Sequence, residues 1–178
     1  MAYGFPRFLS KLAGWIIRLV FGTRMANTIP YVRPFSSDEI DTLLRRKSKF
    51  EESFKTKWDE LNIDGLICPV YPHAAFRMTE ANDLAFMAHY AQLANVVGYP
   101  AGVIPVTEVL AGEDKPECYA DAHNDIYTRR LKESMVGSAG MPIGVQVIGP
   151  KWKDEKCLAM MQLIAEEVKF SKVPEVRT

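Results

Sequence analysis

Three short apolar segments, each flanked by or ending in proline, constrain the fold of this chain more than any other feature. LICPVYP (residues 66–72), AGVIPV (101–106) and MPIGVQVIGP (141–150) have the length and composition of buried β-strands. The segments between and around them carry the spacing of apolar residues that is typical of helices. Strands that alternate with helices predict an α/β architecture, in which helices cover the faces of a sheet.

Four helices are predicted. Ser36 is followed three residues later by Glu39, which is a capping-box signature, and the helix that starts there should run to about Asn62. The others are expected over residues 84–97, closed by Gly98, over 119–135, and from a cap at Asp154 onward. The first helix should bury Ile40, Leu43, Leu44, Phe50, Phe54, Trp58 and Leu61, and the last should bury Leu158, Met161, Ile164, Ala165 and Val168.

The N-terminal segment FPRFLSKLAGWIIRLVFG (residues 5–22) is an amphipathic helix pattern. At 100° per residue, Arg7, Lys11 and Arg18 fall within roughly 40° of one another, and the opposite face is apolar. Crossing a bilayer takes about 20 predominantly apolar residues, and no charge-free run approaches that length. A helix that lies in the membrane interface fits better. Packing on a protein core remains an alternative, and so does a mitochondrial presequence.

Charge is unevenly distributed along a chain whose formal net charge is zero. Residues 1–37 carry five basic and no acidic side chains, so the rest of the chain sums to −5. This excludes nucleic acid as a partner of the main body and makes the N-terminal segment the one anion-seeking region. The three cysteines form no CxxC motif and the three histidines show no metal-ligand spacing. We therefore expect a reducing compartment and neither a metal site nor a cofactor.

No catalytic set is visible in the sequence. Ser138 lies between glycines in VGSAGMP, but the motif is not G-x-S-x-G, and a tight turn leading into the next strand explains it better. Nothing local would lower the pKa of Lys132 enough to activate Ser134. Tyr71, His73 and Arg77 follow the first strand, where α/β proteins often bind ligands, which is a positional indication only.

Two segments carry a resemblance to a known family. YPAGVIPVTEV (residues 99–109) and GMPIGVQVIGPKWKDEKCL (140–158) resemble the C-terminal part of amidase signature enzymes. In those enzymes, a Tyr/Phe-Pro-Ala-Gly strand and a Gly-x-Pro-x-Gly/Ala-x-Gln strand belong to the central sheet. The order of the other segments is similar to that of the fatty acid amide hydrolases, from the basic apolar front through Arg33-Pro34 to the long charged helix. The resemblance covers roughly residues 5–170.

The resemblance implies an α/β fold that is part of the amidase signature fold, a mixed β-sheet flanked by helices, with an N-terminal amphipathic membrane-cap helix. Residues 1–35 would form the cap and a connector, and residues 36–178 the C-terminal part of an amidase signature domain. In fatty acid amide hydrolases, the cap frames the entrance to a buried site. The residues expected to bind the membrane are Phe8, Leu9, Leu12, Trp15 and Ile16 with Arg7, Lys11 and Arg18.

The same resemblance implies a wall of an acyl channel but no catalytic residue. The substrate-channel residues would be Thr28, Val32, Ala85, Ala88 and Tyr127, although Ala85 and Ala88 fit core packing equally well. These enzymes use a Ser–cis-Ser–Lys triad, and this sequence has no GGSSGG-like segment, so none of the triad is carried over. The intact reaction would convert a lipid amide to a fatty acid and an amine without metal or cofactor, and this chain alone is predicted to be inactive.

The expected partners are a membrane lipid surface, the lipid amide of the intact enzyme, and a second copy or a full-length relative. The expected location is the cytosolic face of an intracellular membrane such as the endoplasmic reticulum, with mitochondrial targeting as the alternative. Two other functional hypotheses stay open: a non-catalytic membrane-binding or interaction module from a truncated paralogue, and a fragment of a soluble amidase of the same superfamily.

Overall fold

A computed structural model describes residues 33–76, 78–84, 87–119 and 125–171. The predicted cap segment lies outside these ranges, and so does nearly all of the predicted first domain, 1–35. The boundary at residue 35 therefore stays a prediction. None of the helices in the described part of the chain is both long and apolar enough to cross a bilayer.

Five α-helices and three β-strands make up the regular structure of the described ranges. In chain order they are α1 (Ser37–Leu61), β1 (Leu66–Pro69), α2 (Ala81–Leu84), α3 (His89–Val97), β2 (Ala101–Glu108), α4 (Ile126–Met135), β3 (Pro142–Ile148) and α5 (Asp154–Val168), with 3₁₀ turns at Met78–Glu80 and Pro116–Cys118. Helices and strands alternate as the sequence predicts, so the α/β class is confirmed.

The three strands form one sheet in the order β1-β3-β2, and both described pairings are antiparallel. Leu66 and Ala101 lie opposite Ile148, and the next pairs along join Ile67 and Gly102 to Val147. Because side chains alternate along a strand, Ile148 and Val147 point to opposite faces. Ile148 packs with residues of α1 and α3, whereas Val147 packs with α5. Helices therefore cover both faces of the sheet.

Two glycines of the segment 140–158 allow neighbouring elements to approach closely. A Cβ atom on Gly144 would lie 2.8 Å from Val103 Cγ1 and 3.2 Å from the carbonyl oxygen of Ile104. A Cβ on Gly149 would lie 2.7 Å from Cys157 Cβ and 3.2 Å from its Cα, so the first turn of α5 rests directly on the end of β3. Larger residues at either position would push the sheet or the helix away.

The start of α1 follows the sequence signature closely. The Ser36 hydroxyl accepts a hydrogen bond from the Glu39 backbone N–H, and the Glu39 carboxylate accepts one from the Ser36 N–H at 2.9 Å. This reciprocal pair confirms the capping box. Asn62, in the left-handed conformation, ends the helix where the sequence predicts its end.

Other predicted boundaries differ from the structure. The helix expected over 84–97 is two helices, α2 and α3, joined by a connection that lies partly outside the described ranges, although Gly98 closes α3 as predicted. The helix expected from residue 119 begins at Ile126, because the Asp125 carboxylate caps it. Asp154 is not the cap of α5: Lys153 holds the cap position, without a side-chain hydrogen bond.

Two predicted buried faces are wrong in part. Along α1, Trp58 is buried and Phe54 packs beside it, but Ile40, Leu44, Phe50 and Leu61 are exposed. Along α5, the buried side consists of Cys157 with Met160, Met161 and Ile164, whereas Leu158, Ala165 and Val168 face solvent. Spacing identifies the apolar side of a helix, but the described part of the fold supplies a covering element for only part of that side.

We expect the pKa of Glu39 to rise when Arg33 is replaced by alanine. The Arg33 guanidinium binds the Glu39 carboxylate through both nitrogens, at 2.6 and 3.2 Å, and together with the Ser36 N–H it lowers the pKa of Glu39 to about 2. A lowered pKa stabilises the fold above the ordinary value of 4.5, and that stabilisation is lost as the pH falls towards 2. Carbon-13 NMR titration of the Glu39 carboxyl in Arg33→Ala should show a pKa nearer 4.5.

The Arg130→Ala variant provides a matched control, since Arg130 pairs only locally, with Glu133 at 3.0 Å. It should leave the Glu39 titration unchanged. An unaltered Glu39 pKa in Arg33→Ala would show that the capping box alone holds the carboxylate.

Candidate functional site

A buried apolar cluster surrounds Tyr127, which the sequence resemblance predicts to line an acyl channel, and we call it the channel-wall cluster after that prediction. Its members come from α2, α4 and the connections beside them. The buried members are Leu84, Met87, Tyr127 and Leu131, and the partly buried ones are Tyr71, Phe76 and Ile126. The cluster is separate from the one between α1, α3 and the sheet, which centres on Trp58.

Local sequence explains how α4 presents Tyr127. Asp125 precedes the helix in an extended conformation and accepts hydrogen bonds from the backbone N–H of Thr128 at 2.9 Å and from its hydroxyl at 3.0 Å. This cap starts the helix at Ile126. Tyr127 and Leu131 are four residues apart and therefore share one face of the helix, which is the face that meets α2.

Side-chain hydrogen bonds tie the segment after β1 to α2 and to the residue after the 3₁₀ turn Pro116–Cys118, and they tie α4 to the 3₁₀ turn Met78–Glu80. The Tyr71 hydroxyl donates to the carbonyl oxygen of Leu84, and the Tyr119 hydroxyl donates to that of Pro72 at 3.2 Å. Further along, the Ser134 hydroxyl donates to the Glu80 carboxylate at 2.8 Å. These bonds join positions 13 to 54 residues apart, so they hold the wall of the cluster together over long stretches of sequence.

The electrostatic character of the cluster is neutral. Burial raises the pKa of Tyr71 and that of Tyr119, so both phenols stay protonated at neutral pH and act as hydrogen-bond donors. Their hydrogens are already committed to backbone carbonyls. The arrangement is therefore a closely packed apolar cluster in which neighbouring phenols act as hydrogen-bond donors, and it does not present an acid–base pair.

His73 is buried next to this segment, at 8% exposure. Its Nδ1 lies 2.5 Å from the Ala74 carbonyl oxygen, and because a carbonyl only accepts, Nδ1 carries the proton. Nε2 is buried without a hydrogen-bond partner. The His73 ring is therefore inside the protein, with one of its two nitrogens hydrogen-bonded.

The structure places two of the five predicted channel residues. Tyr127 belongs to the channel-wall cluster, and Ala88 is half-buried at the start of α3, directly after the cluster member Met87. Thr28, Val32 and Ala85 lie outside the described residues, as do the eight predicted membrane-binding residues, Arg7, Phe8, Leu9, Lys11, Leu12, Trp15, Ile16 and Arg18. Sequence reasoning missed Leu84, Met87 and Leu131; the i, i+4 spacing from Tyr127 could have identified Leu131.

The rejected nucleophile candidate is a structural serine. Ser138 lies in a turn in which its N–H donates to the Met135 carbonyl and its carbonyl accepts from Met141, and glycines 137 and 140 take positive φ angles. Its hydroxyl faces the Met135 sulfur at 3.8 Å. The prediction of a tight turn leading into β3 is confirmed. Within the described ranges, no group of three His, Cys, Asp or Glu side chains could hold a metal ion.

The glutamine of the Gly-x-Pro-x-Gly-x-Gln segment also has a structural role. Gln146 is buried in the central strand and donates through Nε2 to the Tyr90 carbonyl oxygen at 3.3 Å, with the Cys68 sulfur at 3.6 Å. It thereby ties the sheet to α3. Motif residues that resemble those of amidases thus build the sheet, and they do not supply reactive groups.

Comparison with protein families decides the identity of this fold. The family model for Amidase matches residues 9–158, which is most of the chain. The chain belongs to the amidase family. Relatives of this amidase chain include fatty-acid amide hydrolase 1 of Sus scrofa, 27% identical over 158 residues, and fatty acid amide hydrolase 1 of Caenorhabditis elegans, 29% identical over 115 residues. Acetamidase of Emericella nidulans is 28% identical over 147 residues.

The amidase chain spans about a quarter of the length of these relatives. The porcine match covers 88% of this chain and 27% of that protein, the nematode match 65% and 20%, and the acetamidase match 78% and 25%. A solved structure of fatty acid amide hydrolase superposes on 78% of this chain and 24% of its own, with a TM-score of 0.61 at 15% identity. This structural likeness confirms the predicted fold. The matches to the porcine and nematode proteins confirm the sequence resemblance to fatty acid amide hydrolases.

Proposed function

We propose that this chain is the C-terminal portion of a fatty-acid-amide-hydrolase-like serine amidase, which hydrolyses lipid amides to a fatty acid and an amine. The observation that carries the proposal is the 158-residue similarity to porcine fatty-acid amide hydrolase 1, which extends over 88% of the chain. That similarity includes both segments whose motifs resemble the C-terminal part of amidase signature enzymes.

In this proposal the chain contributes one wall of the acyl channel. The channel-wall cluster supports this role, because its apolar side chains surround Tyr127, while the Tyr71 hydroxyl and that of the neighbouring Tyr119 are committed to backbone carbonyls. An acyl chain has no polar groups to satisfy along its length, so contact with such a wall costs no hydrogen bonds. Substrate specificity would then depend on the shape of the wall.

The chain also contributes the membrane cap through residues 5–22. The basic stripe would contact anionic headgroups, at about 1 kcal/mol for each Lys or Arg near the surface. The apolar side chains, with Trp15 at the border, would enter the acyl region of one leaflet. We place the protein on the cytosolic face of an intracellular membrane, with the lipid amide as substrate of the intact enzyme and no organic cofactor.

Catalysis in the intact enzyme would depend on residues that this sequence does not contain. The sequence has no Gly/Ser-rich segment with a serine pair, and the turn serine, Ser138, faces a methionine sulfur. Without a nucleophile, a base and oxyanion donors, the acyl-transfer step has no stabilised transition state. The chain alone is therefore proposed to be inactive.

Flotation with vesicles that contain anionic phospholipid tests the cap. The purified chain should float with the vesicles, and Trp15→Asp with Ile16→Asp should reduce the bound fraction at least about tenfold, because two charges would enter the apolar side. Trp152→Asp is the matched control: Trp152 is 83% exposed in the main body, and its replacement should leave flotation unchanged. The same preparation should not turn over a long-chain acyl amide.

Three other outcomes would contradict this proposal. Flotation that survives the double substitution would refute the cap. No flotation of the unmodified chain would refute the cap and favour a fragment of a soluble amidase of the same superfamily. Serine-dependent turnover by the purified chain would refute the proposed dependence on missing residues.

A further inference from the structure

Helix α5 contacts the sheet through two consecutive methionines, Met160 and Met161. A Cβ atom on Gly65, the residue before β1, would lie 2.6 Å from the Met160 sulfur and 2.8 Å from its methyl carbon. A Cβ on Gly102, in β2, would lie 2.5 Å from the Met161 methyl carbon and closer still to its sulfur. Each thioether therefore fills the space above a glycine. We call these two contacts, Met160 on Gly65 and Met161 on Gly102, the methionine seats.

The two methionine seats lie on opposite sides of the central strand. β3 runs between β1 and β2, and Val147 of β3 is the partner of Gly102. Cys157, one turn earlier on α5 than Met161, packs with Val147. The helix therefore crosses above β3 and rests on glycines at both sides of it. Loss of the two seats would remove the contacts of α5 with the outer parts of this face.

Both seated methionines are accessible to small solutes. Each is partly exposed, whereas Met87 and Met135 are only 4% and 6% exposed. Ile67 points to the same face of the sheet as Gly65, because the two residues are two positions apart in an extended segment. Ile67 is 59% exposed, so the edge beside Met160 is open in the part of the chain that the structure describes.

Oxidation of a seated thioether leaves no suitable place for the new oxygen. Hydrogen peroxide transfers one oxygen atom to the sulfur: an S–O bond forms, the O–O bond breaks, the sulfur loses two electrons, and the peroxide is reduced to water. The sulfoxide oxygen is a hydrogen-bond acceptor. Beside Met160 lies the Ile148 carbonyl oxygen, 3.4 Å from the Cβ position on Gly65, and a carbonyl cannot donate to it. Since burial without a donor costs free energy, the oxidised side chain should leave the seat for water.

We propose that the methionine seats are a redox-sensitive switch, in which oxidation of Met160 and Met161 by a peroxide releases α5 from the sheet. Reduction by a dithiol-dependent reductase restores the contact: the sulfoxide returns to a thioether, its oxygen leaves as water, and the two thiols become a disulfide. Release of α5 uncovers Ile104 and Val147, which are 7% and 1% exposed when the helix is seated. The switch belongs to the fold of this chain and does not depend on the proposed function.

Hydrogen exchange after treatment of the purified chain with hydrogen peroxide tests the switch. Mass spectrometry of the peptides identifies the methionines that carry one added oxygen. When both seats are oxidised, exchange in α5 should rise at least about tenfold, whereas exchange in α1, which belongs to a separate cluster, should stay within about twofold. Methionine sulfoxide reductases A and B, supplied with dithiothreitol, should return α5 to its original exchange.

Met160→Leu combined with Met161→Leu removes the oxidisable sulfurs and keeps side chains of similar volume. Before treatment, α5 of this variant should exchange within about threefold of the unmodified chain, and peroxide should then change it by less than about twofold. Met78→Leu with Met141→Leu is the matched control, because these methionines lie outside α5 and are 89% and 42% exposed. The control should still respond to peroxide as the unmodified chain does.

Several results would each overturn the switch. They are sulfoxides at both seats without faster exchange in α5, no sulfoxide at either seat when Met78 and Met141 are fully oxidised, and an undiminished response in the variant with leucines at both seats. Recovery with dithiothreitol alone would assign the effect to a cysteine such as Cys157, and no recovery with the reductases would exclude a reversible device. The reductase measurement uses the unmodified chain, so it decides the question even if the leucine variant does not fold.

Discussion

Replacing Trp58 with alanine is expected to lower the free energy of unfolding by about 3–5 kcal/mol. Trp58 is 6% exposed, and its ring lies 5.3 Å from that of Tyr99 and 6.0 Å from that of Phe54. Loss of the indole removes its transfer free energy, leaves a cavity and breaks two aromatic contacts. Because Trp58 is the buried residue of α1, the variant should also loosen the helix from the sheet. Urea unfolding followed by circular dichroism measures the change.

The Trp152→Ala variant is the control for this prediction. Trp152 is 83% exposed, so the same chemical change should alter the free energy of unfolding by no more than about 0.5 kcal/mol. If Trp58→Ala lowered the free energy of unfolding as little as Trp152→Ala does, the contact of α1 with the core would not be formed in solution.

Local signals in the sequence predict the ends of elements well where a side chain sets them. Ser36 and Glu39 determine the start of α1, and Gly98 determines the end of α3, because each supplies a cap that needs only neighbouring residues. The predicted start of α4 at residue 119 is wrong, although the cap at Asp125 is also local, since its carboxylate accepts from Thr128 three residues away. That information was present in the sequence.

The faces of helices were predicted less well, for a different physical reason. The spacing of Ile40, Leu44 and Phe50 shows that they share a side, but whether water or protein covers that side depends on another element. The same holds for Leu158 on α5, which borders a face that Cys157 and Met161 bury against the sheet. Spacing within one helix carries no information about which element, if any, covers its apolar side.

The candidate site was reached through resemblance, because its contacts are long-range. Tyr127 was named by similarity to an acyl channel, and nothing in its local spacing indicates that it meets Leu84. The Tyr71–Leu84 and Tyr119–Pro72 hydrogen bonds likewise join residues far apart in the chain. The spacing of apolar residues predicts one helix or strand at a time. It could not show that residues from α2, from α4 and from the segment after β1 form one cluster.

We expect Leu84→Ala to lower the free energy of unfolding by about 3–5 kcal/mol and to open the channel-wall cluster. Leu84 is 1% exposed and packs with Met87, Tyr127 and Leu131. Its own carbonyl accepts the Tyr71 hydroxyl, so a shift of α2 into the cavity would also strain that hydrogen bond. Hydrogen exchange should therefore rise in α4 more than in α1, whose contacts belong to the separate cluster around Trp58.

Leu110→Ala controls for the loss of a leucine at an exposed position, because Leu110 is 57% exposed in the loop after β2. It should change the free energy of unfolding by no more than about 0.5 kcal/mol and leave exchange in α4 unaltered. If Leu84→Ala raised exchange equally in α1 and α4, the two clusters would unfold as one unit. The contacts around Tyr127 could then not rearrange without disrupting the contacts of α1 with the sheet.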